Sequence, residues 1–160
     1  MKIIHQRNHR PILRKWKESC RLSVKKSPLH GLGCFATIRL LKGSRIAEYS
    51  GERITRQEAM RRMRSSNGKG ISELGADCYI DGNVNGNQTQ YINHCCDPNS
   101  DALVKDGTLI IFALREIAAG EEITVDYLNS FAHDQSVCQC RTPLCRQSIC
   151  PQQPKSGYRP

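Results

Sequence analysis

The feature that most constrains this chain is a group of three cysteines near its C-terminus. Cys138, Cys140 and Cys145 form the pattern C-x-C-x4-C, which lets one loop wrap a tetrahedral metal ion with sulfur ligands at about 2.3 Å. A fourth ligand is needed, and Cys96 is a good candidate because zinc joining it to the trio would close a long loop. The spacing therefore predicts a structural zinc site, with reduced thiols in a tail as the alternative.

The other cysteines and the apolar content indicate a reducing compartment. The chain has nine cysteines, and crowding such as Cys95 beside Cys96 is awkward for disulfides, which need particular Cβ geometry at both partners. The charged N-terminus lacks the apolar run of about 7–15 residues that a secretory signal needs. No stretch approaches the ~20 apolar residues of a membrane span. We expect a soluble protein, without membrane contact, whose thiols stay reduced.

Charge is distributed unevenly along the chain. Residues 1–70 carry 18 Lys and Arg against 4 Asp and Glu, whereas residues 71–160 carry 6 against 11. The basic half predicts contact with nucleic acid, because clustered positive charge releases condensed counterions on binding, and a solvated basic face is the alternative. Residues 1–20 are predicted to be a basic N-terminal tail, and residues 151–160 a flexible, proline-rich C-terminal tail.

Short strands and a single helix are predicted between these tails. The clearest strand signal lies at 102–114, where two β-rich runs flank Asp106 and Gly107, a dipeptide that tolerates the positive φ angles of a type I′ hairpin turn. A helix is expected at 55–64, with Thr55 as N-cap and Ala59, Met60 and Met63 as apolar contacts. Without βαβ alternation or internal repeats, the chain is expected to form one mostly-β, irregular domain.

Two segments, 91–99 and 120–127, combine polar groups at unusual density. The first contains an amide, an imidazole and two thiols between an apolar pair and a proline, which is typical of a site loop. His94 beside Cys95 suggests a thiol nucleophile, but neighbours in sequence do not normally face each other as a thiolate–imidazole pair must. The second segment ends in an acid–tyrosine pair, for which a buried core tyrosine is the simplest explanation.

Taken in order, these motifs resemble the SET-domain family of lysine methyltransferases over approximately residues 21–147, in a compact form similar to short bacterial SET proteins. The matching segments are 27–35 (SPLHGLGCF), 48–52 (EYSGE), 93–99 (NHCCDPN), 120–127 (GEEITVDY) and 138–146 (CQCRTPLCR). The resemblance implies a mostly-β, β-clip-like fold of short strands with one short helix. It also implies a knot-like crossing of 93–99 with 120–127, a SET domain over 21–130 and a zinc-binding post-SET segment over 131–150.

The resemblance also assigns roles to individual residues. It implies an S-adenosylmethionine-dependent enzyme that methylates a lysine of a basic protein, histone or histone-like. Tyr127 would be the catalytic tyrosine that aligns amine and methyl group, and Tyr49 would line the same channel. The backbone of His30, Gly31, Leu32 and Gly33 and the pair Asn93 and His94 would hold the cofactor. Cys96, Cys138, Cys140 and Cys145 would hold the structural zinc, in agreement with the cysteine spacing.

Departures from the family pattern bear on specificity. Cys95 replaces a serine, a near-isosteric change that weakens a hydrogen bond. Val125 lies two residues before Tyr127, where a larger aromatic often limits the number of methyl groups, so more than one methylation is expected. The acidic residues Glu73, Asp77, Glu121 and Glu122 are candidates for steering a cationic substrate, or else solvated surface.

The alternative from another class is a non-catalytic, zinc-containing SET module that binds nucleic acid or a partner protein. Arg61, Arg62 and Arg64 would then join the basic N-terminal residues in a phosphate-contacting surface, although regular base-stacking aromatics are missing. The expected location is cytoplasmic for a bacterial protein, and nuclear or chromosome-associated for a eukaryotic protein or one delivered to a host.

Overall fold

The computed structural model describes residues 20–66, 70–127 and 137–149, and the predicted tails lie outside these ranges except for Cys20. Ten short strands and one α-helix, α1, make the fold mostly β, as the sequence predicted. Their order is β1 Leu22–Lys26, β2 Leu32–Ala36, β3 Arg45–Glu48, β4 Glu52–Thr55, α1 Arg56–Ser66, β5 Ile71–Gly75, β6 Cys78–Asp81, β7 Asn93–His94, β8 Ser100–Lys105, β9 Thr108–Ala113 and β10 Thr124–Val125. A 3₁₀ helix, Gln88–Tyr91, precedes β7.

The strands form four small sheets rather than one large one. β1 and β2 make an antiparallel pair, β3, β9 and β8 a three-stranded sheet, and β4, β6 and β5 another. In the hairpin between β8 and β9, Asp106 and Gly107 have φ angles of 50° and 71°. Both are positive, as a type I′ turn requires. The hairpin predicted from the dipeptide is therefore confirmed.

The helix α1 confirms its predicted cap and corrects one predicted contact. Thr55 Oγ1 accepts the backbone N–H of Glu58 at 3.3 Å, which satisfies one of the orphan donors of the first turn. Ala59 is fully buried, and Met63 packs against the same cluster. Met60 was expected to make an apolar contact as well, but its side chain is 48% exposed. Ala59 and Met63 are four residues apart and share the buried face of the helix, whereas Met60 lies beside that face. In the described part of the chain, no helix has the length and apolarity of a membrane span.

Two clusters of buried side chains hold the sheets together. The larger joins the β1–β2 pair to the β3–β9–β8 sheet through Ile46, Ile117 and Ile123, each fully buried. The smaller contains Tyr49 with Leu74, Ile80 and Leu109. Burying each aliphatic side chain contributes roughly 1.5–3 kcal/mol, so this packing fixes the frame on which the polar segments lie.

At the centre of the fold, two segments that are distant in sequence run side by side. β7 and β10 pair in parallel, with Asn93 opposite Thr124 and His94 opposite Val125. The buried side chain of Asn99 fastens them further, because its Oδ1 accepts the Thr124 N–H at 2.9 Å and its Nδ2 donates to a carbonyl of 120–127 at 2.7 Å. These bonds join 93–99 to 120–127, the two segments that the family resemblance brings together.

Candidate functional site

The loop between β1 and β2 meets β7 through direct hydrogen bonds. Asn93 donates from Nδ2 to the carbonyl oxygens of His30 at 3.2 Å and Leu32 at 3.0 Å. Gly31 has a φ of 50°, a left-handed conformation that favours glycine. The structure thus brings together five of the six residues predicted to hold a cofactor, namely His30, Gly31, Leu32, Gly33 and Asn93.

The two tyrosines predicted to line the reaction channel both donate their hydroxyl protons to backbone carbonyls. The Tyr127 hydroxyl donates to Ile92 O at 2.6 Å, and the Tyr49 hydroxyl donates to Gly70 O at 2.7 Å. Burial raises the pKa of Tyr49, and the nearby Tyr127 raises it further. The Tyr49 hydroxyl is therefore neutral at physiological pH, and the two rings lie in one region.

His94, the sixth predicted cofactor residue, directs its side chain elsewhere. Its Nδ1 accepts the backbone N–H of Tyr127 at 3.1 Å, and its Nε2 lies 3.3 Å from the sulfur of Cys96. Because Nδ1 is an acceptor, the proton of the neutral ring belongs on Nε2 and points at sulfur. Burial lowers the pKa of His94, although the nearby carboxylate of Asp126 acts to raise it. A neutral imidazole therefore links the catalytic candidate Tyr127 to a cysteine.

That cysteine belongs to the predicted metal set. The sulfur atoms of Cys96, Cys138, Cys140 and Cys145 all lie within 4.8 Å of one another, and those of Cys96 and Cys138 are 3.6 Å apart. Tetrahedral zinc with Zn–S bonds of about 2.3 Å places its sulfurs roughly 3.8 Å apart. The four thiols therefore fit one structural zinc ion, with the ligand set that the spacing and the resemblance predicted.

Cys95 lies beside this cluster without joining it. Its thiol donates to the carbonyl of Asp97 at 3.2 Å, and burial raises its pKa to about 11. A thiol in that state is a poor nucleophile. The imidazole of His94 contacts Cys96 rather than Cys95, which removes the basis for a cysteine hydrolase.

Comparisons with known proteins agree with this geometry. A family model described as the SET domain matches residues 31–128. The chain belongs to the SET domain family. The SET domain fold expected from the sequence is thereby confirmed, and the cluster of four cysteines fits the expected post-SET motif.

Several curated relatives of this SET domain are named as histone-lysine methyltransferases. Histone-lysine N-methyltransferase trithorax of Drosophila melanogaster is 34% identical over 80% of the chain and 4% of its own length. Histone-lysine N-methyltransferase set1 of Dictyostelium discoideum is 36% identical over 81% of the chain and 9% of its own length. An H3 lysine-4 specific histone-lysine N-methyltransferase of Saccharomyces cerevisiae is 38% identical over 76% of the chain and 12% of its own length. The chain thus spans only a small part of each of these relatives.

An ion pair that the sequence did not predict joins the post-SET segment to the SET domain. Arg146 donates from both terminal nitrogens to Asp126, at 2.8 and 2.7 Å, and its backbone N–H contacts the Cys96 sulfur at 3.4 Å. Asp126 immediately precedes Tyr127. The sequence does show an arginine directly after the third cysteine of the post-SET pattern. It does not indicate that the partner of this arginine is Asp126, 20 residues earlier.

Glu122 is a second residue whose role the sequence did not reveal. Its carboxylate binds Ser27 and Asn93, while Glu121 forms an ion pair with Arg115 at 2.7 Å. Both acidic side chains therefore form contacts within the SET domain. Steering of a cationic substrate by Glu73, Asp77, Glu121 and Glu122 stays a prediction.

Proposed function

We propose that this SET domain is a protein-lysine N-methyltransferase that uses S-adenosylmethionine and acts on a basic protein, histone or histone-like. The observation that carries the proposal is the meeting of the 30–33 loop, Asn93 and Tyr127 along the β7–β10 pair. Relatives named histone-lysine N-methyltransferases support the reaction type and the substrate class.

His30, Gly31, Leu32, Gly33, Asn93 and His94 would hold the cofactor, mainly through backbone groups. S-adenosylmethionine, when bound, supplies a methyl group on a sulfonium centre, and an amine takes that group by in-line displacement. Because a reaction of this kind needs little beyond alignment and exclusion of water, the protein mainly has to position its reactants. The hydrogen bonds that fix the loop to Asn93 serve that requirement.

Tyr127 is the proposed catalytic residue. Its hydroxyl proton is directed at Ile92 O, so the oxygen can accept an N–H of the substrate amine and aim the nitrogen lone pair at the methyl group. The amine must be neutral to react, whereas free lysine has a pKa of ~10.4. The buried ring of Tyr49 favours the neutral form, since an apolar channel disfavours a charged ammonium group.

The zinc site would act structurally. Holding 138–145 to Cys96 brings the post-SET segment against the end of the SET domain that carries Tyr127. We assign residues 21–130 to the SET domain, 131–150 to the post-SET segment, and 1–20 and 151–160 to tails. Where the cell has a nucleus, we expect the protein with chromatin there, and in a bacterium we expect it in the cytoplasm.

The test is methyl transfer from labelled S-adenosylmethionine onto a panel of histones and bacterial basic proteins. Tyr127→Phe should lower kcat by about 100-fold, because the amine loses its aligning acceptor. Tyr79→Phe is the matched control, since Tyr79 lies in the cluster beneath α1, and it should retain activity. Full activity of Tyr127→Phe would show that its assigned role is wrong.

The same experiment separates the enzyme from a non-catalytic module that binds nucleic acid or a partner. Arg61 and Arg62, expected at a phosphate-contacting surface, are engaged by carboxylates in the structure, with Glu58 contacting both. Zinc-loaded protein that neither binds S-adenosylmethionine nor transfers methyl groups, yet binds DNA, would support the module instead.

A further inference from the structure

The carboxylate of Glu122 lies at the junction of the three segments that build the proposed cofactor site. Its two oxygens accept the hydroxyl of Ser27 at 2.8 and 2.9 Å, and Oε1 also accepts Nδ2 of Asn93 at 2.8 Å. Ser27 is the first residue of the segment 27–33, which we call the cofactor loop. Asn93 donates hydrogen bonds to two carbonyls of this loop from the other side. One side chain therefore binds both residues that fix the loop.

The same carboxylate explains a glycine of the loop. A Cβ atom on Gly33 would overlap Oε1 of Glu122 and lie within 3.0 Å of the Cβ of Ser27. Any other residue at this position would push the carboxylate out of the loop. Glycine at position 33 thus leaves room for the carboxylate of Glu122, whereas Gly31 is favoured by its own positive φ.

Ser27 connects the carboxylate of Glu122 to the backbone of the loop through its own hydrogen bonds. Its Oγ accepts the N–H of Leu29 at 2.9 Å and that of His30 at 3.2 Å while it donates to Glu122. The hydroxyl therefore has a fixed orientation, with its proton toward the carboxylate and its lone pairs toward the turn. The conformation at His30 consequently depends on a residue 92 positions later in the chain.

The carboxylates of Glu121 and Glu122 have partners of different charge. Glu121 pairs with Arg115, but the donors to Glu122 are a neutral hydroxyl and a neutral amide. Within 20–66, 70–127 and 137–149, no Lys or Arg nitrogen forms an ion pair with Glu122. A partly buried carboxylate without a counter-ion attracts a cationic ligand more strongly than an exposed one would.

We propose that Glu122 is a positioning residue for the cofactor loop and that its carboxylate makes this loop prefer the sulfonium form of the cofactor to the product of methyl transfer, which has one positive charge fewer. The inference rests on the proposed function. S-adenosylmethionine carries a sulfonium charge that S-adenosylhomocysteine lacks, so the negative charge of Glu122 favours the reactant and helps the product leave.

The test is calorimetric measurement of the Kd of S-adenosylmethionine and of S-adenosylhomocysteine with the whole zinc-loaded chain. Glu122→Gln, which keeps an acceptor oxygen but removes the charge, should weaken binding of the reactant about tenfold and of the product about twofold. Ser27→Ala keeps the charge but releases the loop, so it should weaken both to a similar degree. Glu116→Gln is the matched control, because Glu116 forms an exposed ion pair with Arg39, and both Kd values should stay unchanged.

Glu122→Asp provides a second reading if the glutamine variant does not fold. It keeps the charge on a shorter side chain, so both ligands should bind more weakly while their Kd ratio stays near that of the wild type. An unchanged ratio in folded Glu122→Gln would overturn the charge preference, and unchanged Kd values for both ligands would overturn the whole inference. Wild-type protein that binds neither ligand would instead contradict the proposed function on which the inference rests.

Discussion

Arg146 and Asp126 form a bidentate ion pair, with N–O distances of 2.8 and 2.7 Å, between the post-SET segment and the residue before Tyr127. About a quarter of each side chain is exposed, so the pair is only partly screened by water. Asp126 raises the pKa of the Arg146 guanidinium through hydrogen bonding. The pair ties the position of Tyr127 to the cysteine cluster.

Arg146→Gln should break the ion pair between Arg146 and Asp126. We expect kcat to fall about tenfold, because Tyr127 loses one of its positional constraints, and the free energy of unfolding to fall by about 1–2 kcal/mol. Methyl-transfer kinetics and thermal unfolding measure both quantities. Arg39→Gln, which breaks an exposed bidentate pair with Glu116, should leave kcat unchanged, and equal effects of the two variants would contradict a specific role for Arg146.

His94→Gln should separate the zinc cluster from Tyr127. Glutamine cannot bond to the Cys96 sulfur and to the Tyr127 N–H in the way that the two imidazole nitrogens do. We expect kcat to fall by roughly 10- to 100-fold, since a small misplacement of a catalytic group is costly. The four cysteine ligands are unaltered, so metal analysis should still find zinc. Unchanged kcat with bound zinc would show that the link has no positioning role.

Cys140→Ser should abolish zinc binding, whereas Cys95→Ser should not. The wild type should contain about one zinc ion per chain, because structural zinc sites use four ligands and fold around the metal. Cys95→Ser keeps the bond to the Asp97 carbonyl with a stronger hydroxyl donor. Metal analysis and thermal unfolding distinguish the variants, and a folded, metal-free wild type would refute the site.

Val125→Phe should restrict the number of methyl groups added. Val125 lies on β10 opposite His94, two residues before Tyr127, and it packs partly buried against the larger core. A phenylalanine ring would take space from a partly methylated amine, so the product should shift from higher methylation states to monomethyl-lysine. Mass spectrometry of the product measures this shift. Val104→Phe, on an exposed face of β8, should leave the products unchanged.

Local features of the fold could be read from the sequence because their causes are local. The Asp106 and Gly107 turn and the Thr55 cap depend on residues within three positions of each other. The clustering of four cysteines was also predictable, since three of them lie within one short loop. Met60 shows the limit of such patterns, because an apolar residue one position off the buried face is exposed.

The residues that the sequence did not reveal act across long separations. Glu122 was predicted to steer a cationic substrate or to be solvated surface, but its carboxylate accepts a hydrogen bond from Ser27, 95 residues away. Nothing in the composition of either segment specifies that pairing. The same holds for His94, which was expected to hold the cofactor together with Asn93 and whose side chain joins Cys96 to Tyr127. Roles of this kind become visible only when the fold brings the segments together.

The contact between Ser27 and Glu122 has a consequence for the order of folding. A hydrogen bond that spans 95 residues closes almost the whole domain into one loop. Contacts between residues distant in sequence form slowly, because the chain loses the entropy of closing the loop before the contact stabilises it. The loop proposed to hold the cofactor should therefore be among the last parts to acquire its native shape. On the ribosome, the nascent chain can close this contact only after residue 122 has left the exit tunnel.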